Sequence, residues 1–333
     1  MRIRLVLALL VLSACAPSFA PPLDGGVTPK VAEDAILARD GTRLSLRRWE
    51  SEGKPRAVIV ALHGMSDYSN AFDMPAKFWA KLGITTIAYD QRGFGLSANP
   101  GIWAGAEAMR SDLNDAIAAA RVRYPGVPVF ALGESMGGAV VLTAIASSSP
   151  PRADASADAP ILRADASADA PILNADGIIL VAPAVWSRGD MPLTYRAALF
   201  LGAHLVPGMI LSNNAAGKVV KIVPSDNVPM LIALGKDPLF QKKTRTDTLF
   251  GLVNLMDEAR TAPQSIKTAP PILFLHGAND QVIPVKPTRA VIAALGSKAT
   301  VKRYEHGYHM LLRDLEGESV DRDVADWIFA RQP

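Results

Sequence analysis

The chain has 333 residues, 49 % of them hydrophobic and 20 % charged, the balance of a globular protein able to bury a large core in one large α/β domain or two smaller ones. The formal net charge is +3 with no block of like charge, so nucleic-acid binding has no electrostatic support. A single Cys excludes an internal disulfide framework and any cysteine-based metal cluster.

Arg2 and Arg4 precede a short apolar run, Leu5 to Leu12. The run is too short to span a membrane and reads as a secretory signal. It ends Leu12-Ser13-Ala14-Cys15, which resembles the lipobox of bacterial lipoproteins. The resemblance implies a signal peptide over residues 1–14, cut before Cys15, and lipid modification of Cys15. The rival reading is an ordinary signal cut after Ser18-Phe19-Ala20, with Cys15 discarded. Residues 15–33, rich in Pro and Gly over 16–30, then form a flexible tether. A lipid anchor holds a domain at a membrane face without spanning it. It would place the protein in the bacterial cell envelope, on the periplasmic side or at the outer membrane. Without it the protein is soluble, periplasmic or secreted. Removing Arg2 and Arg4 leaves 33 basic residues against 32 acidic, a net charge of +1.

Asp34 to Trp49 alternates around Asp40-Gly41, a hairpin turn signal. From Ala57 onward strand and helix alternate. Strands are expected at Ala57–Leu62, Ile84–Tyr89, Pro128–Leu132, Gly177–Val181, Ile272–Leu275 and Thr300–Tyr304. Helices are expected at Met74–Leu82, Glu107–Tyr124, Met136–Ser147, Thr288–Leu295 and Ser319–Ala330. This order predicts the α/β class: a mostly parallel central sheet with helices on both faces. Val58-Ile59-Val60-Ala61-Leu62 is continuously apolar, as a strand buried on both sides should be.

Two stretches interrupt the alternation. Arg-Ala-Asp-Ala-Ser-Ala-Asp-Ala-Pro-Ile-Leu occurs twice in tandem, at 152–162 and 163–173. Two copies of so short a unit cannot build a solenoid, and the segment reads as a solvated surface loop from a recent duplication. Residues 184–267 separate two strands by more than any usual connection. They contain apolar helical material, Tyr195–Leu211 and Thr248–Ala259, and read as an inserted helical lid, or cap, on a core of 34–183 and 268–331. The Tyr195–Leu211 stripe either faces an acyl chain or a membrane, or packs the lid onto the core. His204 within it reads as structural.

Gly133-Glu134-Ser135-Met136-Gly137-Gly138 lies between an expected strand and an expected helix. A Gly-x-Ser-x-Gly there is a nucleophile elbow, in which the turn lifts the Ser135 hydroxyl above the sheet. The flanking glycines are required because a Cβ would collide with neighbouring strand and helix. A serine hydroxyl needs an adjacent base, and five His are present: His63, His204, His276, His306 and His309. The order Ser, acid, His is met by Ser135, Asp280 and His309, the last two at the carboxyl ends of strands, where open α/β sheets bind ligands. Spacing alone leaves His306 as a rival to His309, and Asp237 as a weaker rival to Asp280. Asp90, in Asp90-Gln91-Arg92-Gly93-Phe94-Gly95, reads as a turn-forming residue paired with Arg92. The oxyanion donors are expected from the backbone N–H of Met136, at a helix N-terminus, and of Met65, in the His63-Gly64-Met65 loop.

Taken together, the His63-Gly64-Met65, Asp90–Gly95, Gly133–Gly138, His276-Gly277-Ala278-Asn279-Asp280 and Gly307-Tyr308-His309 segments resemble the monoacylglycerol lipase/lysophospholipase group of α/β-hydrolases, which is also classed with serine aminopeptidases. The resemblance covers about residues 34 to 331 apart from the duplication. It implies the α/β-hydrolase fold with a lid at 184–267, selects His309 over His306, and makes Asp237 structural. It implies hydrolysis of single-chain lipid esters through an acyl-enzyme on Ser135, with no metal and no cofactor. A serine aminopeptidase using the same triad is the alternative, and would need an acidic subsite from residues such as Asp226, Asp237 or Asp247. A non-catalytic binding lipoprotein is the remote one.

Overall fold

The computed structural model describes residues 17–23, 25–147, 173–212 and 222–331. The expected signal peptide, Cys15 and the tandem repeat up to residue 172 lie outside the described residues.

Among the described residues nine strands form one sheet. Their order is β1 (Lys30–Val31), β2 (Ala35–Leu37), β3 (Arg43–Trp49), β5 (Ile84–Tyr89), β4 (Ala57–Leu62), β6 (Val129–Glu134), β7 (Gly177–Val181), β10 (Ile272–Gly277) and β11 (Ala299–Tyr304). The six from β5 to β11 run parallel, and β1 to β3 form an antiparallel edge. The β2–β3 hairpin turns at Asp40-Gly41 as expected: Gly41 has φ +85°, a conformation costly for a residue with a Cβ.

Every residue of β4 is buried, and its alternation splits the core in two. Val58, Val60 and Leu62 pack on one face with α2 (Ala106–Arg123), α3 (Met136–Ser147) and the later α6 (Thr246–Thr261). Ala57, Ile59 and Ala61 pack on the other with α1 (Asp73–Lys81) and α8 (Gly317–Phe329). Parallel strands buried on both faces need no polar positions, which is why the run reads as continuously apolar. On the second face Trp79 is wholly buried and its indole N–H donates to the Asp321 carbonyl at 2.8 Å, joining α1 to α8.

The expected cap divides into two parts. Residues 184–245 carry α4 (Leu193–Leu205), α5 (Val228–Lys236) and a small antiparallel pair, β8 (Ile210–Ser212) with β9 (Lys243–Arg245). α6, also placed in the cap by sequence, buries Leu252, Val253, Leu255, Met256 and Ala259 against α3 and is a core helix. The expected helix Tyr195–Leu211 ends at Leu205. Pro207 and Gly208 force a turn, and Ile210 to Ser212 become a strand. α7 (Val285–Leu295) completes the first face.

The described part of the expected tether is tied to the core rather than free. Ala20 N–H donates to Trp103 O at 2.9 Å, Val27 N–H to Arg39 O at 2.9 Å, and Lys30–Val31 join the sheet.

Candidate active site

β6 runs straight into α3, and the one residue between them is Ser135. Its φ is +51°, a left-handed conformation that a residue with a Cβ adopts only under constraint. The constraint is backbone bonding: Ser135 N–H donates to Val181 O at 2.9 Å, and Ser135 O accepts from Ala139 and Ala184 N–H. The turn is also too tight for side chains. A Cβ on Gly133 would sit 2.4 Å from Gly137 O, and one on Gly137 would sit 2.2 Å from Leu62 O on β4. The glycines are therefore set by collision with helix and strand, as the motif predicts.

Asp280 follows β10 and His309 follows β11, so three strand ends converge. The Ser135 hydroxyl donates to His309 Nε2 at 2.9 Å, and His309 Nδ1–H donates to Asp280 Oδ2 at 2.9 Å. Asp280 Oδ1 accepts from Val282 and Ile283 N–H at 2.8 and 2.9 Å, which locks the carboxylate toward the imidazole. His309 and Asp280 side chains are nearly buried, so the relay operates largely away from water. His306 is exposed on the other side of the turn, and geometry separates the two histidines that spacing left open.

The second expected oxyanion donor lies in a loop held by its own histidine. His63 is wholly buried; its Nδ1–H donates to Gly64 O at 2.8 Å while Nε2 accepts from Gln91 N–H at 3.0 Å. Gln91 Nε2 in turn donates to His63 O at 2.7 Å. Burial holds the imidazole below its ordinary pKa, so it stays neutral with the proton on Nδ1. Fixing the Gly64 carbonyl fixes the plane of the next peptide, and the Met65 N–H must point the opposite way. That loop passes over the nucleophile: a Cβ on Gly64 would lie 3.2 Å from Ser135 Cβ. Met136 opens α3, so its N–H has no acceptor within the helix and points along the positive end of the dipole.

Beneath the relay lies a charge cluster that sequence reasoning missed. Arg313, 5 % exposed, pairs with Asp67 at 2.8 Å and Glu134 at 3.2 Å. Glu134 is inside the elbow, Asp67 is two residues beyond Met65, and Arg313 is four beyond His309. Burial pushes the Glu134 carboxyl up, against the pull of Arg313. Burial works against the Arg313 charge as well, but Asp67 and then Glu134 outweigh it and hold the guanidinium protonated. The one signal available in sequence was Glu134 itself, an acid in a motif that must be buried.

Asp90 is turn-forming as expected, accepting from Ser69 and Leu96 N–H, each at 2.8 Å. Arg92, the partner expected for it, lies with other carboxylates. Arg92 reaches Asp112 at 2.6 Å and Asp40 at 2.7 Å instead, since the Asp90 carboxylate is already filled by backbone donors. Asp237 accepts from Tyr68 OH at 2.7 Å and from Leu239 N–H, away from His309. His204 stacks on Phe200 and meets Phe250 edge-on, a packing role.

The cap is fastened to this site at both ends. It leaves at Ala184, bonded to Ser135 O, and returns along the His309 loop. There Met310 N–H donates to Pro224 O at 2.9 Å, Ser225 OH to Asp314 at 2.6 Å, and the Asn227 amide to Arg313 O at 2.9 Å. Further on, Gln241 N–H donates to Ser66 O at 2.8 Å.

A parallel sheet carrying a strained serine between strand and helix, with its hydroxyl on a carboxylate-backed imidazole, defines a serine hydrolase of the α/β-hydrolase fold. The profile of the serine aminopeptidase S33 family matches residues 53–316, and the chain belongs to that family. It is similar to human monoglyceride lipase, 26 % identical over 301 residues that cover 89 % of this chain and 90 % of that protein. It is similar also to the monoacylglycerol lipase of Mycolicibacterium smegmatis, 25 % identical over 303 residues, 89 % of this chain and 96 % of that protein. In fold it is similar to a soluble variant of the monoglyceride lipase from Saccharomyces cerevisiae, solved with a substrate analog. That likeness has a TM-score of 0.71 at 17 % identity and covers 94 % of this chain and 99 % of that one.

Proposed function

We propose that the chain hydrolyses carboxylic esters of single-chain lipids, such as monoacylglycerols and lysophospholipids, through an acyl-enzyme on Ser135. The observation that carries this is the hydrogen-bond relay Ser135–His309–Asp280, 2.9 Å at each step, at a strained elbow. His309 Nε2 takes the hydroxyl proton as Ser135 Oγ attacks the ester carbonyl, and Asp280 stabilises the imidazolium that forms. The tetrahedral oxyanion is received by the Met65 and Met136 N–H groups. His309 then protonates the departing alcohol, and water activated by the same imidazole releases the fatty acid. No residue other than these needs to change protonation state. The monoglyceride lipase relatives and the apolar cap support the choice of a lipid ester.

The aminopeptidase reading is the alternative. Its acidic subsite would need a carboxylate able to meet an ammonium group. Asp247 is already paired with Arg245, while Asp226 accepts from Leu315 N–H and Asp237 from Tyr68 OH, neutral donors that leave them charged. A panel of monoacylglycerols of increasing chain length, beside amino-acid anilides, tests the proposal. Turnover confined to the anilides would replace it with the peptidase reading.

We propose further that residues 1–14 are a signal peptide, that Cys15 is lipid-modified in the cell envelope, and that residues 184–245 act as the substrate-facing cap. The lipobox-like Leu12-Ser13-Ala14-Cys15 supports the anchor, and mass spectrometry of the mature N-terminus tests it.

A further inference from the structure

One face of the cap is unlike the rest of the surface. α4 buries a single residue, Ala203. Leu193, Phe200, Leu201 and Leu205 on the helix, with Met209 and Ile210 beyond it, are each at least 45 % exposed. Arg196 is the only permanent charge on α4. Scattered apolar side chains are ordinary on a soluble protein, but a contiguous run of this kind marks a surface that meets another apolar phase.

The described chain begins at the rim of that same face. Ser18 N–H donates to Asp247 Oδ2 at 3.3 Å, and Ala20 N–H to Trp103 O at 2.9 Å. Asp247 N–H donates to Pro207 O at 3.1 Å and Thr246 N–H to Met209 O at 3.0 Å. Ser18 is therefore one carboxylate away from the turn that carries Met209 and Ile210. Phe19, between the two tied residues, is itself 51 % exposed. Cys15 precedes Ser18 by three residues, a reach of about 10 Å at most.

We infer that residues 17–20 are an orienting strap. They deliver an acyl anchor at Cys15 to the edge of the α4–β8 face, so that anchor and face enter one lipid surface together. This rests on the lipidation of Cys15 proposed above. One acyl chain binds membranes only marginally, and a second signal makes the attachment stable. A short strap makes that second contact intramolecular, with an effective concentration in the millimolar range. A long free tether would hold the enzyme near the lipid without choosing which side faces it. Because the proposed cap segment leaves the elbow at Ala184, bonded to Ser135 O, the strap would choose the side from which a lipid ester enters. The occupant is a bilayer surface rather than a second copy of the chain, since Ser18, three residues from Cys15 in sequence, is tied at the rim of the apolar face.

The face is tested on the chain carrying Cys15→Ser, with phosphatidylethanolamine/phosphatidylglycerol vesicles. A bimane label at Ile210→Cys should shift to the blue on vesicle addition. A label at Val122→Cys, exposed at the end of α2 near the start of β6 and so at the opposite edge of the sheet, should not. Leu201→Glu/Leu205→Glu should lower vesicle partition at least tenfold with the circular dichroism spectrum unchanged. Partition unmoved by the glutamates, an equal response at Val122, or self-association through the face without vesicle binding overturns the inference. The strap is tested on the acylated protein: Ala20→Pro removes the donor to Trp103 O. It should lower turnover of a vesicle-embedded monoacylglycerol several-fold with the soluble ester unaffected, and equal turnover of the embedded ester overturns the strap. The soluble-ester assay reports catalysis separately, and an unmodified Cys15 by mass spectrometry removes the anchor even where the face binds.

Discussion

The sheet edge that carries Ser135 and the outer face of α4 are opposites in construction. At the edge, the groups of the relay have fixed partners, although Gln91 Oε1, Glu134 Oε1 and Arg313 Nε around it are buried without one. Ser135 is held by three backbone bonds, Asp280 by two donors besides His309, and Arg313 by two buried carboxylates. On the outer face of α4 the side chains touch little and only Ala203 is buried. Chemistry demands placement within a fraction of an ångström, so the edge is over-constrained. A surface proposed to meet varied lipid would demand only apolar area, and the α4 face carries no tighter constraint.

The sharpest test of that contrast is Ser135→Ala, expected to lower turnover by roughly 10⁴-fold or more with the fold intact by circular dichroism. Wild-type turnover in this variant would remove the edge's claim to the chemistry. Next in size, Arg313→Met leaves Asp67 and Glu134 as unpaired buried carboxylates. A loss of about 3–5 kcal/mol in urea unfolding is expected. Arg313→Lys should recover part of the stability, while kcat remains below wild type because elbow and His309 loop are no longer held in one geometry.

A third prediction marks where the core itself is imperfect. Asp321 on α8 is buried, has an oxygen without a hydrogen-bond partner, and burial pushes its carboxyl from 3.8 up to about 8. The folded state thus keeps a proton that the unfolded chain loses above about pH 4. Stability from this group is full below that pH and is lost as pH rises toward 8. Asp321→Asn should therefore stabilise the protein by about 1–3 kcal/mol at pH 8 and flatten the fall in Tm between pH 5 and 8. No change at pH 8 would mean the carboxyl is ionised and solvated. Smallest of all, Leu193→Ser, at a residue 73 % exposed on α4, should move unfolding stability by no more than about 0.5 kcal/mol.

What could be seen from sequence follows the same division. That Ser135, Asp280 and His309 would come together was legible because each sits in a short motif at a strand end, where residue type and position are fixed together. The two faces of β4 were legible from an unbroken apolar run. Arg313 was not, since its partner Glu134 lies 179 residues away and no local pattern announces the pair. Arg92 was assigned to its neighbour Asp90 for the same reason, while its real partners are 20 and 52 residues distant. Within 184–267 the exposed α4 is more apolar in sequence than the core helix α6, so hydropathy could not tell which is buried. Only packing against α3 separates them.

The fastening of the cap at both ends limits how a substrate can be admitted. A flap hinged on one side would have to pull Ala184 off the elbow or strip Pro224, Ser225 and Asn227 from the His309 loop, dismantling the relay as it opened. If residues 184–245 cover the site as proposed, admission would come from bending between these fastenings. An arch of that kind would gear entry to chemistry: its fastenings fall on Ser135 and on Met310, Arg313 and Asp314, the residues that follow His309, so a loosened cap would disturb the loop that carries the imidazole.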